Sequence, residues 1–295
     1  MTAIGSLFSG IGGFERGLEM SGLGPVRWQI ENDEFCSQVL AKHWPDTVRF
    51  RDIGTVHVDQ LEPVDVVCGG FPCQPASVAG RRGGQSDTRW LWPEFARVLR
   101  GVRPRFVAIE NVPGLLTVDR GAAFGTVLGD LASLGYDAWW DVLAAAETGA
   151  PHKRDRLFVI AWLAHDAGVR SREQAWQILA RRDLSEWSRR NVANAHGSRQ
   201  HEPKGSVSEQ RGWSPNGGER PAEPGVDRNP DGLSGGIHPG WPAGRGQAQY
   251  PYEPARTEAK VPRRRERLKV LGNAVVPQCA EAIGHVIRSL AEATP

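Results

Sequence analysis

A cysteine set between prolines, in Gly69-Gly70-Phe71-Pro72-Cys73-Gln74-Pro75, is the first residue whose setting points to chemistry. The glycines and prolines make a turning, stiffened loop after an apolar run. A thiol exposed on such a loop can act as a nucleophile once nearby cations favour its thiolate. Cys36, Cys68 and Cys279 fall on apolar faces or in a strand, where cysteine behaves as a small hydrophobe. A second apolar run ends in Glu110-Asn111-Val112-Pro113-Gly114, which brings a carboxyl group out beside the cysteine loop, where burial can keep it protonated. In Pro151-His152-Lys153-Arg154-Asp155-Arg156 the two arginines stand two apart at the start of a strand pattern and so share a face. They could address an anion or a carbonyl oxygen, although an isolated Arg-x-Arg is as readily a solvated edge.

A different kind of site is suggested near the N-terminus. Ser6-Leu7-Phe8-Ser9-Gly10-Ile11-Gly12-Gly13 follows a strand pattern and opens a helical one, so its glycines allow a sharp turn and bring backbone amides close to a ligand. Glu31 ends the second strand pattern, where an acid can accept from both hydroxyls of a ribose, and Asp52 follows the third, where it could take the amino group of an adenine. Taken singly, each acid also suits a solvated loop or a helix cap; three features in register favour a nucleoside. There is no Walker-type lysine loop, so nucleotide triphosphate hydrolysis is not indicated.

These groups need a scaffold that carries them to one edge, and the alternation of short apolar runs with amphipathic stretches supplies it: an α/β domain with repeated β–α units around a mainly parallel sheet. The pattern predicts strands at Ile4–Phe8, Val26–Glu31, Val48–Phe50, Val64–Cys68, Phe106–Glu110, Ala138–Ala144 and Leu157–Trp162. Apolar residues at three- and four-residue steps predict helices at Phe14–Met20, Glu34–His43, Trp92–Gly101 and Ala122–Leu134. Beyond Ala164 the character changes, with twelve Gly and ten Pro among the 68 residues of 195–262. That is too many breakers for regular layers. A basic run, Arg263-Arg264-Arg265-Glu266-Arg267, precedes a final amphipathic helical pattern at Ala274–Ala291 that would pack back on the first domain. The expected division is an α/β domain at 1–164, which carries these groups, a loop-rich region at 165–265 and a returning segment at 266–295.

The bulk properties are compatible with this. A chain of 295 residues with 40% hydrophobic and 24% charged residues is ordinary for a globular protein of one or two domains. A net charge of +2 does not by itself announce a nucleic-acid binder. The cysteines show no CxxC pair or zinc spacing, so no metal is expected. No apolar run approaches a membrane span and the first residues lack the features of a secretory signal, so no membrane partner is expected and the expected location is cytoplasmic.

The order FSGIGGFERGLE, GGFPCQP, ENVPG, PHKRDRLF and LGNAVVPQ resembles the ordered blocks of the prokaryotic and phage DNA (cytosine-5)-methyltransferases, over about residues 4–162 and 268–290. The resemblance implies an S-adenosylmethionine-dependent methyltransferase sheet of Rossmann-like type with a smaller, loop-rich target-recognition domain. It implies transfer of a methyl group from S-adenosyl-L-methionine to carbon 5 of a cytosine flipped out of duplex DNA. By the same resemblance Cys73 adds to carbon 6, Glu110 holds ring nitrogen 3 and its amino neighbour, Arg156 holds the base carbonyl, and Arg154 orders the nucleophile loop. Phe8, Ser9, Gly10, Gly12, Gly13, Glu31, Asp52, Ile53, Pro72, Leu91, Asn273, Ala274 and Val275 would line the cofactor pocket. The family's usual behaviour implies a monomer acting on DNA, with a cognate restriction endonuclease as an associated partner in some cases. His152 stands where the family usually has Gln, which removes no catalytic group. An RNA methyltransferase of the same fold would carry a Cys-Phe-Thr element that this chain lacks. A DNA-binding protein without turnover would have no need of the intact Cys73, Glu110, Arg154 and Arg156. A nicotinamide oxidoreductase would leave Phe-Pro-Cys-Gln and Glu-Asn-Val unexplained.

Overall fold

The computed structural model describes residues 2–72, 90–148, 150, 152–164 and 262–292, all within one compact unit. Seven strands form a single sheet: β1 (Ile4–Leu7), β2 (Val26–Ile30), β3 (Val48–Phe50), β4 (Val66–Gly69), β5 (Phe106–Asn111), β6 (Tyr136–Ala144) and β7 (Asp155–Leu163). Their spatial order is β3-β2-β1-β4-β5-β7-β6. Strands β1 to β5 pair in parallel and β7 runs antiparallel to both β5 and β6. The central strands β1, β4 and β5 are buried along their whole length, as continuous apolar runs covered on both faces must be. Edge strand β6 is exposed in its middle.

The helices are α1 (Gly13–Met20), α2 (Glu34–His43), α3 (Trp92–Val102), α4 (Ala122–Ser133), α5 (Arg264–Asn273) and α6 (Pro277–Glu292). Helices α3 and α4 contribute Phe95, Leu99, Val127 and Leu131 to the core on one face of the sheet. On the other face α1 and α6 contribute Phe14, Leu18, Ile283 and Val286. The two helices lie close enough that a Cβ on Gly17 would collide with the Pro277 carbonyl and Ala280. The last helical pattern read at Ala274–Ala291 starts at Pro277 instead. Ala274 is extended, and proline is well placed to open α6, since an N–H in the first turn would have no partner within the helix. The basic run before it is itself helical, as the start of α5. That helix buries only Val270, so it has no apolar periodicity by which the sequence could reveal it. No helix among the described residues is long and apolar enough to cross a membrane. Residues 165–261, most of the expected recognition region, lie outside the described residues.

The chain leaves β1 toward β2 and β3 on one side and returns to β4 and β5 on the other, so the crevice at the carboxyl ends of β1 and β4 is the topological switch point of the sheet. Ligands of open α/β sheets bind at that place.

Candidate active site

The turn leaving β1 is built from left-handed residues: Phe8 (φ 53°), Gly10 (φ 56°) and Gly12 (φ 87°). Phe8 is a non-glycine residue in this region, a conformation retained only where surroundings impose it; its ring stacks on Phe95 at 6.4 Å. The Ser9 N–H donates to the Ile30 carbonyl at 3.2 Å. Glu31 then holds the turn with both carboxylate oxygens: the Gly10 N–H donates to one at 2.7 Å and the Asp33 N–H to the other at 2.7 Å. A Cβ placed on Gly10 would meet nothing among the described residues within 4 Å. The ground above this glycine is open, and the positive φ, not crowding, is what calls for glycine here.

Asp52 is exposed and accepts from the Gly54 N–H at 2.9 Å, closing a local turn. Ile53 is a buried core residue whose carbonyl accepts from Arg97. Leu91 caps the start of α3. Cys73 lies outside the described residues, but the described residues flanking its segment meet: Phe71 packs edge-on against Trp90 at 5.3 Å and also against Trp92 and Phe95. Asn111 secures the same approach, since its buried side chain donates to the Phe71 carbonyl at 3.1 Å. The sequence reading assigned Asn111 no task. The signal was its place at the carboxyl end of β5, directly after Glu110.

Glu110, also at the end of β5, is 8% exposed. Arg156 reaches it from β7, with Nε 2.9 Å from Oε1. Burial pushes the Glu110 carboxyl above the usual carboxylate range, and the opposing pull of Arg156 and Arg154 does not cancel it. A Cβ on Gly70 would come within 2.9 Å of Glu110 Oε2, so the glycine before the cysteine loop leaves that oxygen uncovered. Arg154, which has a left-handed backbone (φ 41°), does not share the task of Arg156. Its Nη2 donates to the carbonyls of Gly272 and Ala274 at 2.8 and 2.7 Å. The turn Asn273–Val275 is thereby tied to the sheet. A cavity of about 40 Å³ brings together Phe8, Ser9, Gly10, Gly70, Glu110 and this turn. Glu31, Asp52, Ile53, Pro72 and Leu91 do not line it, and neither do Gly12, Gly13, Arg154 and Arg156.

The three described cysteines are buried and free. Burial pushes the Cys36 thiol up to about 12 and the Cys279 thiol to about 11, and raises that of Cys68 as well. None of them can supply a thiolate near neutral pH.

A mainly parallel sheet of this order with its seventh strand reversed is Rossmann-like. The sequence profile of one family, described as C-5 cytosine-specific DNA methylase, matches residues 2–209, and the chain belongs to that family. It is 36% identical over 157 residues to the Type II methyltransferase M.NgoBI of Neisseria gonorrhoeae, a match covering 53% of this chain and 49% of that protein. It is 34% identical over 190 residues to the Type II methyltransferase M.NlaX of Neisseria lactamica, covering 63% and 60% respectively. The chain thus spans about half to three-fifths of the length of these relatives. Among solved structures, the S. pombe Dnmt2 methyltransferase aligns with a TM-score of 0.48 and 21% identity over 60% of this chain and 55% of that one.

Proposed function

We propose that this protein transfers a methyl group from S-adenosylmethionine to carbon 5 of cytosine within a specific duplex DNA sequence, through a covalent adduct of Cys73 with a flipped-out base. The observation that carries the reading is the placement of Glu110, a buried acid with a raised pKa, at the switch point of the sheet under Gly70. Three peptide links join Gly70 to Cys73, a reach of about 11 Å at most, so the acid and the nucleophile serve one pocket. The open ground above Gly10, the turn at Asn273–Val275 that lines the cavity and the second lone pairs of the Glu31 carboxylate fit a nucleoside cofactor. Phe8, Gly10, Glu31 and Asn273–Val275 are the residues that would hold it, and when bound it supplies an electrophilic methyl group.

In this mechanism the Cys73 thiolate forms a bond to carbon 6 of the base, and the electron pair displaced toward carbon 5 makes that atom nucleophilic. Glu110, carrying its proton, donates to ring nitrogen 3 and so offsets the charge that develops on the ring. Arg156 lies beside Glu110 and is placed to hold the base carbonyl. Once the methyl group has passed to carbon 5, leaving its bonding pair on the cofactor sulfur, the carbon 5 proton passes to water, the C–H pair reforms the 5,6 double bond and the Cys73 sulfur departs as thiolate. The recognition of sequence falls to the region 165–265, and a monomer paired in some settings with a restriction endonuclease is the expected assembly. Incubation with labelled S-adenosylmethionine and mixed-sequence duplex DNA, followed by bisulfite mapping, should give 5-methylcytosine in one shared context. Cys73→Ser should abolish transfer while leaving cofactor affinity intact; continued turnover by that variant would end the proposal.

A further inference from the structure

Beneath the glycine turn lies a polar cluster that the proposed chemistry does not use. Glu15 of α1, Gln29 of β2 and Ser6 of β1 are each 0% exposed, and Ser9 in the turn is 8% exposed. Gln29 Nε2 donates to Glu15 Oε1 at 3.3 Å, and Ser9 Oγ to Ser6 Oγ at 2.9 Å. Two atoms of the cluster have no hydrogen-bond partner: Glu15 Oε2 and Gln29 Oε1. They are the other halves of the two groups already joined, and with Glu15 ionised both are buried acceptors. A proton on Glu15 Oε2 resolves both at once. The acid O–H would then donate to the Gln29 carbonyl while the Gln29 N–H donates to the acid carbonyl at 3.3 Å, closing a two-bond ring.

We propose that Glu15 is a neutral carboxylic acid paired with the Gln29 amide, and that this pair positions the turn at Ser9–Gly10 for the cofactor. The inference rests on the cofactor reading above. An ionised carboxylate this deep would need a cation, and none of the groups that act most strongly on Glu15 is one. Burial raises its pKa, against weaker hydrogen bonds from its own backbone, Ser6, Ser9 and Gln29. The titratable group facing it from β4 is Cys68, whose thiol is raised by burial and is therefore neutral as well. Glu15 touches no ligand. It acts through Ser9, whose neighbour Gly10 is held from the other side by Glu31. Ionisation of Glu15 would break the ring and draw the serine hydroxyls and water toward the charge, loosening the turn.

The test is an infrared difference spectrum between the wild type and Glu15→Gln at neutral pH, with cofactor affinity measured by calorimetry across the alkaline range. The wild type should show the carbonyl stretch of a protonated carboxylic acid that Glu15→Gln lacks. Glutamine at position 15 can still donate to Gln29 Oε1 and accept from Gln29 Nε2, so affinity should stay within about twofold and lose its fall at high pH; Glu15→Leu should weaken binding about tenfold, the effect of one or two buried hydrogen bonds. Absence of the acid band, or a tenfold loss in Glu15→Gln, overturns the inference. Should Glu15→Gln fail to fold, the exchanged pair Glu15→Gln with Gln29→Glu carries the same test: the band and the affinity should return, and their absence counts against the pair. A wild-type protein that binds no S-adenosylmethionine would instead overturn the cofactor reading, whatever the infrared result.

Discussion

Glu15 and Glu110 are both withdrawn from water at the two sides of the switch-point crevice, and burial raises the pKa of each. They differ in company. Glu110 faces the Arg156 guanidinium and lines the cavity, so its proton is balanced between burial and a cation and can be shared with a base. Glu15 faces an amide, two hydroxyls and a thiol, a neutral setting that fixes its proton and keeps it out of any reaction. Equal burial therefore does not mean equal role, and the partner distinguishes the acid proposed to work on substrate from the one proposed to hold the backbone.

The strongest way to break this contrast is to neutralise each acid isosterically. Glu110→Gln should lower kcat by about 10²- to 10⁴-fold, the usual worth of a positioned general acid, with cofactor affinity unchanged; Glu15→Gln should leave kcat near the wild-type value. Steady-state and binding measurements on the two variants decide it, and equal losses in kcat would erase the distinction.

Removing the cation should make Glu110 resemble Glu15. Arg156→Met leaves burial unopposed, so the Glu110 pKa should rise further and the group should become a fixed neutral acid. A loss of about 1–3 kcal/mol of stability is expected, limited because a protonated Glu110 is not left standing as an unpaired charge. Linkage gives the sign for both acids. A carboxyl raised in the fold contributes stability that is fully present below the ordinary carboxylate range and is lost as pH rises toward the raised value. Denaturant unfolding of the wild type should thus weaken over that window, and each Gln variant should flatten part of the slope. A steeper slope in either variant would contradict the assigned protonation states.

The sequence revealed much of the scaffold because its strands are apolar runs closed by glycine, proline or a charged residue, and each predicted strand lies within two residues of an observed one at either end. The direction of β7 was not legible, since no local pattern separates a parallel from an antiparallel buried strand. That direction matters for the site. Pairing of Glu110 with Phe158 and of Asn111 with Leu157 puts Arg156 beside the carboxyl end of β5, so two groups read as separate hands on the base form one ion pair. Arg154, read as its twin on the same face, turns instead to the carbonyls of the C-terminal turn because its backbone is left-handed. Glu15 was visible in principle: it lies three residues before Leu18 on the inward face of α1.

Arg154 marks the boundary between the two regions, because its guanidinium binds the turn that closes the cavity and acts on Glu110 through its charge. Arg154→Met should cost about 1–2 kcal/mol through two lost charge-assisted bonds and weaken cofactor binding several-fold, with kcat at saturating cofactor little changed. A fall in kcat instead would place Arg154 in the chemistry beside Arg156.

The smallest effect is expected at Asn111, which supports the cysteine approach and not the acid. Asn111→Ala removes the donor to the Phe71 carbonyl at 3.1 Å, leaving a buried acceptor without its partner at a cost of about 1 kcal/mol. The packing of Phe71 on Trp90, Trp92 and Phe95 is untouched by this change, so the ring should stay in place while its carbonyl gains freedom. The expected result is a reduced rate of covalent trapping by DNA carrying 5-fluorocytosine, with cofactor affinity and the Glu110-dependent pH profile as in the wild type. Trapping at the wild-type rate would show that the aromatic cluster alone holds the approach to Cys73; a shifted pH profile would show that Asn111 acts on Glu110, its neighbour in the chain, and belongs with the acid after all.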